Sequence, residues 1–169
     1  MIPIKINDKK YKIKTIDELT AREFIELTSF ENLDMIKYIA WQTGLDSKDT
    51  FFAVISPTVE KAIGTIPDIR KMKLPKWIEK ENIIETVGQR HQVEGSNLKG
   101  YDLLVHTLAV ANAKTPDDTE VSELKEKYYE MLFSEVLPAG FFFFKNYKNG
   151  KKPGQKILRW LMGLMKIRN

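Results

Sequence analysis

The sequence predicts a mainly α fold with a small N-terminal β-hairpin: an α+β protein with a compact helical body and a C-terminal amphipathic helix. Three observations lead there. The opening stretch, MIPIKINDKKYKIK, alternates apolar and lysine side chains with the period of two that marks a strand. Most of the chain beyond Lys14 spaces its apolar residues at three and four, between recognisable caps and terminators. The ending, QKILRWLMGLMKIRN, sets a Trp, Leu and Met face against basic residues.

The hairpin comes first. Ile2, Ile4 and Ile6 alternate with Pro3 and Lys5, and Tyr11 and Ile13 alternate with Lys10, Lys12 and Lys14. The cluster NDKK between them is turn chemistry. A lone hairpin is marginal in water, so its apolar face must cover something else. The first helix starts in ELTAREFIELTSF. Thr20 is its N-cap, Glu23 completes a capping box, and Leu19 and Phe24 occupy hydrophobic-staple positions. From Leu33, the set Ile36, Ile39, Ala40 and Thr43 predicts a second helix, closed by Gly44. DSKDTFFAVIS predicts a short helix capped by Asp46 or Ser47. SPTVEKAIGTI predicts another, capped by Ser56, with Pro57 at its first position and Pro67 at its end.

The phase is then mixed. Trp77, Ile78, Ile83, Ile84 and Val87 fit a helix or a strand, and VEGSNLKG reads as a loop. YDLLVHTLAVANA predicts a helix with Tyr101, Leu104, Val105 and Leu108 on one face, broken by KTPDD. TEVSELKEKYYEMLFSEVL predicts the next, with Val121, Leu124, Tyr128, Met131, Leu132 and Val136 in register. Asp117, Asp118, Glu120 and Glu123 at its start complement the helix dipole. Pro138 ends or bends it, FFFFKNY continues as a short helix, and KNGKKPG is a polar break. Residues 1–149 therefore form a hairpin plus helical body, and 150–169 a basic amphipathic tail.

Charge is divided unevenly along the chain. Leu137 to Asn169 carries eight basic residues and no acid. The preceding residues hold the other 19 basic side chains against all 23 acidic ones, a net of −4. An acidic body with a basic ending attracts an acidic partner or another copy of itself. The absence of cysteine excludes disulfides and thiolate metal sites. The N-terminus lacks the apolar stretch of a signal peptide. The longest apolar run, AGFFFF, falls far short of the roughly 20 residues of a spanning helix.

Little catalytic chemistry emerges. The two histidines, His91 and His106, are far apart in sequence. His106 shares a helical face with Asp102 and reads as structural; His91, in GQRHQ, reads as exposed. The carboxylate pair Asp117–Asp118 is explained by capping and dipole effects, and no aromatic carbohydrate loops accompany it. Gly150 and Gly154 flank KKP without the strand and Lys-Ser/Thr pair of a phosphate loop, and no serine lies in a GxSxG elbow. No catalytic, cofactor or metal residues are assigned.

The terminal helix is the most informative element. Ile157, Leu158, Leu161, Leu164 and Met165 share one face with Trp160 at its edge, and Lys156, Arg159 and Lys166 lie elsewhere. Packing on its own core, docking into a groove of a partner or another copy, and lying on an anionic membrane surface are the readings, in that order. Nucleic acid comes last, because it would leave the apolar face without a role.

IKINDKKYKIKTIDELTAREFIEL resembles the opening of tail assembly chaperones of tailed bacteriophages: an alternating strand, a polar turn, a second strand, then a Leu-Thr-x-x-Glu/Gln-Phe helix start. Ile4, Ile6, Asn7, Tyr11, Ile13, Leu19, Thr20, Glu23 and Phe24 carry the pattern. The ending Leu137 to Phe142, LPAGFF, is also similar. About a third of the chain is covered, and the tail after Gly150 has no counterpart. The resemblance implies a non-enzymatic phage protein that binds other phage proteins in tail, neck or particle assembly, in the host cytoplasm and, if retained, in the virion. The alternative is a nucleic-acid-binding regulator that uses the basic tail. The chemistry of the residues themselves selects Phe143, Phe144, Trp160, Leu161, Leu164 and Met165 as contacts. Lys10, Lys12 and Lys14 would add long-range attraction. Partners are other phage structural or assembly proteins, with homo-oligomerisation as a further option and no membrane span.

Overall fold

A two-stranded antiparallel hairpin precedes a series of helices, the α+β class read from the sequence. The structure is a computed structural model, and it describes residues 1–148 apart from 32–33, 52–60, 62, 79–83, 85–86 and 116. The helices expected around SPTVEKAIGTI and in the tail lie largely or wholly outside the described residues, as does the ambiguous stretch before Val87. Two units emerge. The first joins Met1–Met72 to Tyr128–Val136, and the second joins Lys73–Lys127 to the described residues from Leu137.

In the first unit, strands β1 (Ile2–Ile6) and β2 (Lys9–Ile13) pair with Ile2 opposite Ile13, Ile4 opposite Tyr11 and Lys5 opposite Lys10. Asn7 and Asp8 form the turn, with φ of 47° and 63°. A two-residue hairpin turn with positive φ at both positions matches the strand twist, and Asn and Asp tolerate it better than other side-chain-bearing residues. Ile6 and Ile13 are fully buried, while Lys10 and Lys12 point to solvent.

Just beyond β2, helix α2 (Met35–Thr43) takes both polar groups of the Lys14 backbone. Its amide donates to Gln42 Oε1 at 3.2 Å, and its carbonyl accepts from the Tyr38 hydroxyl at 2.8 Å. Burial, followed by the nearby charges of Glu23 and Glu18, pushes the Tyr38 phenol well above its usual range, so the hydroxyl stays a donor. Tyr38→Phe is expected to cost about 1–2 kcal/mol of unfolding free energy, because it strands that carbonyl without removing apolar bulk. Urea titration checks it; an unchanged midpoint would show that the bond contributes nothing.

Helix α1 (Ala21–Ser29) is capped as its sequence prescribes. The Thr20 hydroxyl accepts from the Glu23 amide at 3.2 Å, and the Thr20 amide donates to Glu23 Oε2 at 2.9 Å. Helix α2 starts on Asp34, whose Oδ1 accepts from the Lys37 amide at 2.8 Å, and stops at Gly44, with φ 69°. Helix α3 (Ser47–Phe51) follows, entered through Asp46.

The long helix expected over 119–137 is two helices. Helix α6 (Asp118–Tyr129) stops short, and α7 occupies 133–148. The break has a tertiary cause. The Ala21 amide, left without an intrahelical partner at the start of α1, donates to the Met131 carbonyl at 2.8 Å. The Phe133 amide donates to the Leu19 carbonyl at 3.1 Å. Thr20 and Leu132 form the β-bridge between these bonds. Satisfying an orphan helix-terminal amide in this way outweighs continuing the helix. Phe133 thereby stacks on Phe24, with centroids 4.1 Å apart and rings 6° from parallel, both fully buried. Pro138 neither ends nor precedes α7 but lies inside it, where it leaves the Ser134 carbonyl without its usual helical donor.

The second unit contains α4 (Val87–Gly95) and α5 (Gly100–Asn112). Helix α4 includes GQRHQ and the start of the expected VEGSNLKG loop. Helix α5 is buried from Leu104 through Ala111, not along one face only. Its apolar residues run all round, and the Thr107 hydroxyl is satisfied by the Leu103 carbonyl at 2.7 Å. Gly140 on α7 meets α5 at Leu104. A β-carbon there would lie 2.3 Å from the Leu104 carbonyl oxygen.

Candidate protein-binding surface

The hairpin presents one side to the core and the other to solvent. On the solvent side, Lys5 and Lys10 are direct cross-strand neighbours, with Lys12 beside them opposite Pro3. All three lysines are exposed. Like charges directly opposite each other destabilise a hairpin. Lys5 is partly relieved by Asp8, 2.7 Å away in the turn. Lys10 and Lys12 hold no ion pair among the described residues. The result is a small, rigidly backed patch of positive charge.

Lys14, expected to extend this patch, is half-buried and its ammonium meets Glu23 Oε1 at 2.5 Å. Burial alone would raise the Glu23 carboxyl, but the Lys14 ammonium and the Thr20 amide outweigh it and hold the group below its ordinary range. Lys14 thus ties the end of the hairpin to the cap of α1. Lys5 joins the patch in its place, although the sequence pattern did not single it out as a contact. Its alternation with Ile4 and Ile6 is the signal that points to it, and the cross-strand register supplies the rest.

The phenylalanine contacts change more. Phe143 is buried in its own chain, 1% exposed, so it is not the exposed contact expected. At helical spacing it continues the buried line of Val136, Ala139 and Gly140, and Tyr147 follows it. Phe144 is half-buried, with the Lys148 ammonium 4.6 Å from its ring centre. Trp160, Leu161, Leu164 and Met165 lie outside the described residues.

One chemical constellation is invisible to sequence spacing. His91 and His106 line the same open depression of about 330 Å³ in the second unit, with Gln92, Ser96 and Asp118. His91 is exposed, as expected. His106 takes a different partner from Asp102: its Nε2 lies 3.1 Å from the Gln92 carbonyl, so the neutral ring donates from that nitrogen. Gln92 Nε2 in turn donates to Asp118 Oδ1 at 2.5 Å, and the Tyr147 hydroxyl donates to Glu94 Oε1 at 2.6 Å. Helix α4 is therefore fastened to three neighbours through polar groups. No group of three or more acidic and histidine side chains is set to hold a metal among the described residues.

Burial holds the His106 imidazole below its ordinary value near 6.5. The Gln92 carbonyl opposes this shift, and the Lys125 charge adds to it. A depressed histidine contributes its full stability above pH 6.5, where folded and unfolded chains are both neutral at this group. As pH falls below that value the unfolded chain takes a proton that the folded chain resists, and the contribution is lost down to the folded pKa. Unfolding midpoints measured from pH 7.5 to 5 are expected to fall, and His106→Gln to flatten the slope. Equal slopes would show that His106 is not responsible.

The acidic start of α6 is likewise structural. Asp117 Oδ1 accepts from the Glu120 amide at 2.8 Å, and Glu120 accepts from the amides of Lys114 and Thr115 at 2.9 and 2.7 Å. These bonds lower both carboxyl pKa values.

No helix among the described residues is long and apolar enough to cross a membrane. Comparison of the chain with family models, with curated proteins and with solved structures finds no match.

Proposed function

We propose that this chain is a non-enzymatic protein-binding module of tailed-bacteriophage assembly, acting in the host cytoplasm on other phage proteins of the tail, neck or particle. The observation that carries the binding half of this reading is the solvent face of the hairpin. Lys5, Lys10 and Lys12 are crowded there at a cost to the hairpin itself, on strands whose other side buries Ile6 and Ile13. An acidic protein surface would relieve that crowding and gain association rate from it. The assembly half rests on the resemblance of the hairpin and the Thr20–Glu23 helix start to tail assembly chaperones.

The test is genetic and biochemical together. Removing the coding sequence from the phage that carries it is expected to leave infected cells with incomplete particles. The wild-type chain should restore plaques, and a Lys5→Glu, Lys10→Glu, Lys12→Glu variant should fold but fail to do so. Normal particle yield after the deletion would refute the assembly role. Full rescue by the triple variant would refute the lysine surface. Tight binding to DNA that weakens steeply with salt would instead favour a nucleic-acid regulator.

A further inference from the structure

The first unit carries a second surface, of opposite character to the lysine patch. Phe30, Lys37, Ala40, Trp41, Leu45 and Ser47 line a depression of about 390 Å³ between the end of α1 and the second half of α2. Phe30 remains 38% exposed, and its ring meets Trp41 edge-on at 6.2 Å. The Trp41 indole is oriented from outside, its Nε1 donating to Glu26 Oε1 at 3.0 Å. Aromatic walls held in fixed positions suit anchor side chains entering from a partner.

The charge of the flanking sequence decides which partner. Residues 26–49 hold Glu26, Glu31, Asp34, Asp46 and Asp49 against Lys37 and Lys48, a net of −3. All seven are exposed or half-buried. The Lys37 ammonium is drawn onto the Glu31 carbonyl at 3.0 Å. A largely apolar depression flanked in sequence by more acids than bases, with Glu26 bonded to its Trp41 wall, fits a basic segment whose apolar residues recur at helical spacing. This chain has one: residues 155–168 carry Lys156, Arg159, Lys166 and Arg168, no acid, and the apolar set from Ile157 to Met165. We propose that the depression receives residues 155–168 of a second copy of this chain. Reciprocal exchange fills two identical depressions with two identical segments, which closes the contact into a symmetric pair. This inference is independent of the lysine patch and of the assembly role.

Sedimentation equilibrium of the full chain tests it. A mass above that of the monomer, rising with concentration, is expected. Phe30→Glu, a change at an exposed position, should raise the dissociation constant about tenfold or more. A synthetic peptide of residues 155–168 in excess should return the wild-type chain to monomer, and a peptide with Trp160, Leu161 and Leu164 replaced by Ser should not. A chain that stays monomeric at all concentrations would overturn the proposal. So would self-association that neither Phe30→Glu nor the peptide disturbs.

Discussion

Phe133→Ala is expected to lower the unfolding free energy of the first unit by about 4 kcal/mol, within the ~3–5 kcal/mol range of buried Phe→Ala changes. Three facts concentrate the effect. The ring is fully buried, it stacks on Phe24 at 4.1 Å, and its own backbone amide is bonded to Leu19. The substitution removes apolar area and leaves a cavity that the backbone pairing resists closing. Phe24→Ala should cost a similar amount. The double variant should cost less than the sum, by roughly 0.5–1.5 kcal/mol for the lost ring pair. Chemical denaturation of the four proteins completes the cycle. A loss under about 1 kcal/mol for either single variant would mean that the stack is not central.

Gly140→Ala provides a test in which the sign is informative. In an ordinary helix interior, alanine in place of glycine gains up to about 1 kcal/mol. Here the new β-carbon would lie 2.3 Å from the Leu104 carbonyl oxygen and 2.7 Å from its carbon. Those are backbone atoms, so relief requires the helices α5 and α7 to separate. Overpacking of this kind costs about 1–3 kcal/mol or more, which exceeds the propensity gain. A net loss of about 1–2 kcal/mol is expected for alanine, and failure to fold for valine. Gly95→Ala is the control, since nothing lies within 4 Å of a β-carbon there. Stabilisation by Gly140→Ala would show that the helices are not in close contact.

These two positions mark where sequence reading succeeds and where it stops. The hairpin, the Thr20–Glu23 box and the Gly44 stop are legible because each is settled by residues within a few positions. The break between α6 and α7 is not. The pattern from Val121 to Val136 is continuous, and only backbone groups about a hundred residues earlier, at Leu19 and Ala21, interrupt it. Pro138 reads as the end or a bend of a helix, yet it lies inside one together with Gly140, and the glycine serves a helix crossing. Phe143 shows the same limit: its type suggests a contact surface, and its phase on α7 places it in the core. In the candidate surface, Lys10 and Lys12 are readable from alternation alone. Lys14 is removed from it by Glu23, and the meeting of His91 with His106 depends on how α4 lies against α5.

The discontinuity of the first unit also sets a schedule for synthesis. Its first stretch ends at Met72, but the strand-like pairing at Thr20 and the ring that covers Phe24 arrive only with Tyr128–Val136. At about 5–20 residues per second, translation of the intervening segment takes roughly 3–11 s. Through that interval the nascent chain holds Phe24 without its stacking partner, and the Ala21 amide without its acceptor. The second unit's segment Lys73–Lys127 emerges in the meantime. A ribosome stalled before residue 128 would therefore carry a product open to proteases and to holding chaperones. Release from them should coincide with the emergence of Phe133.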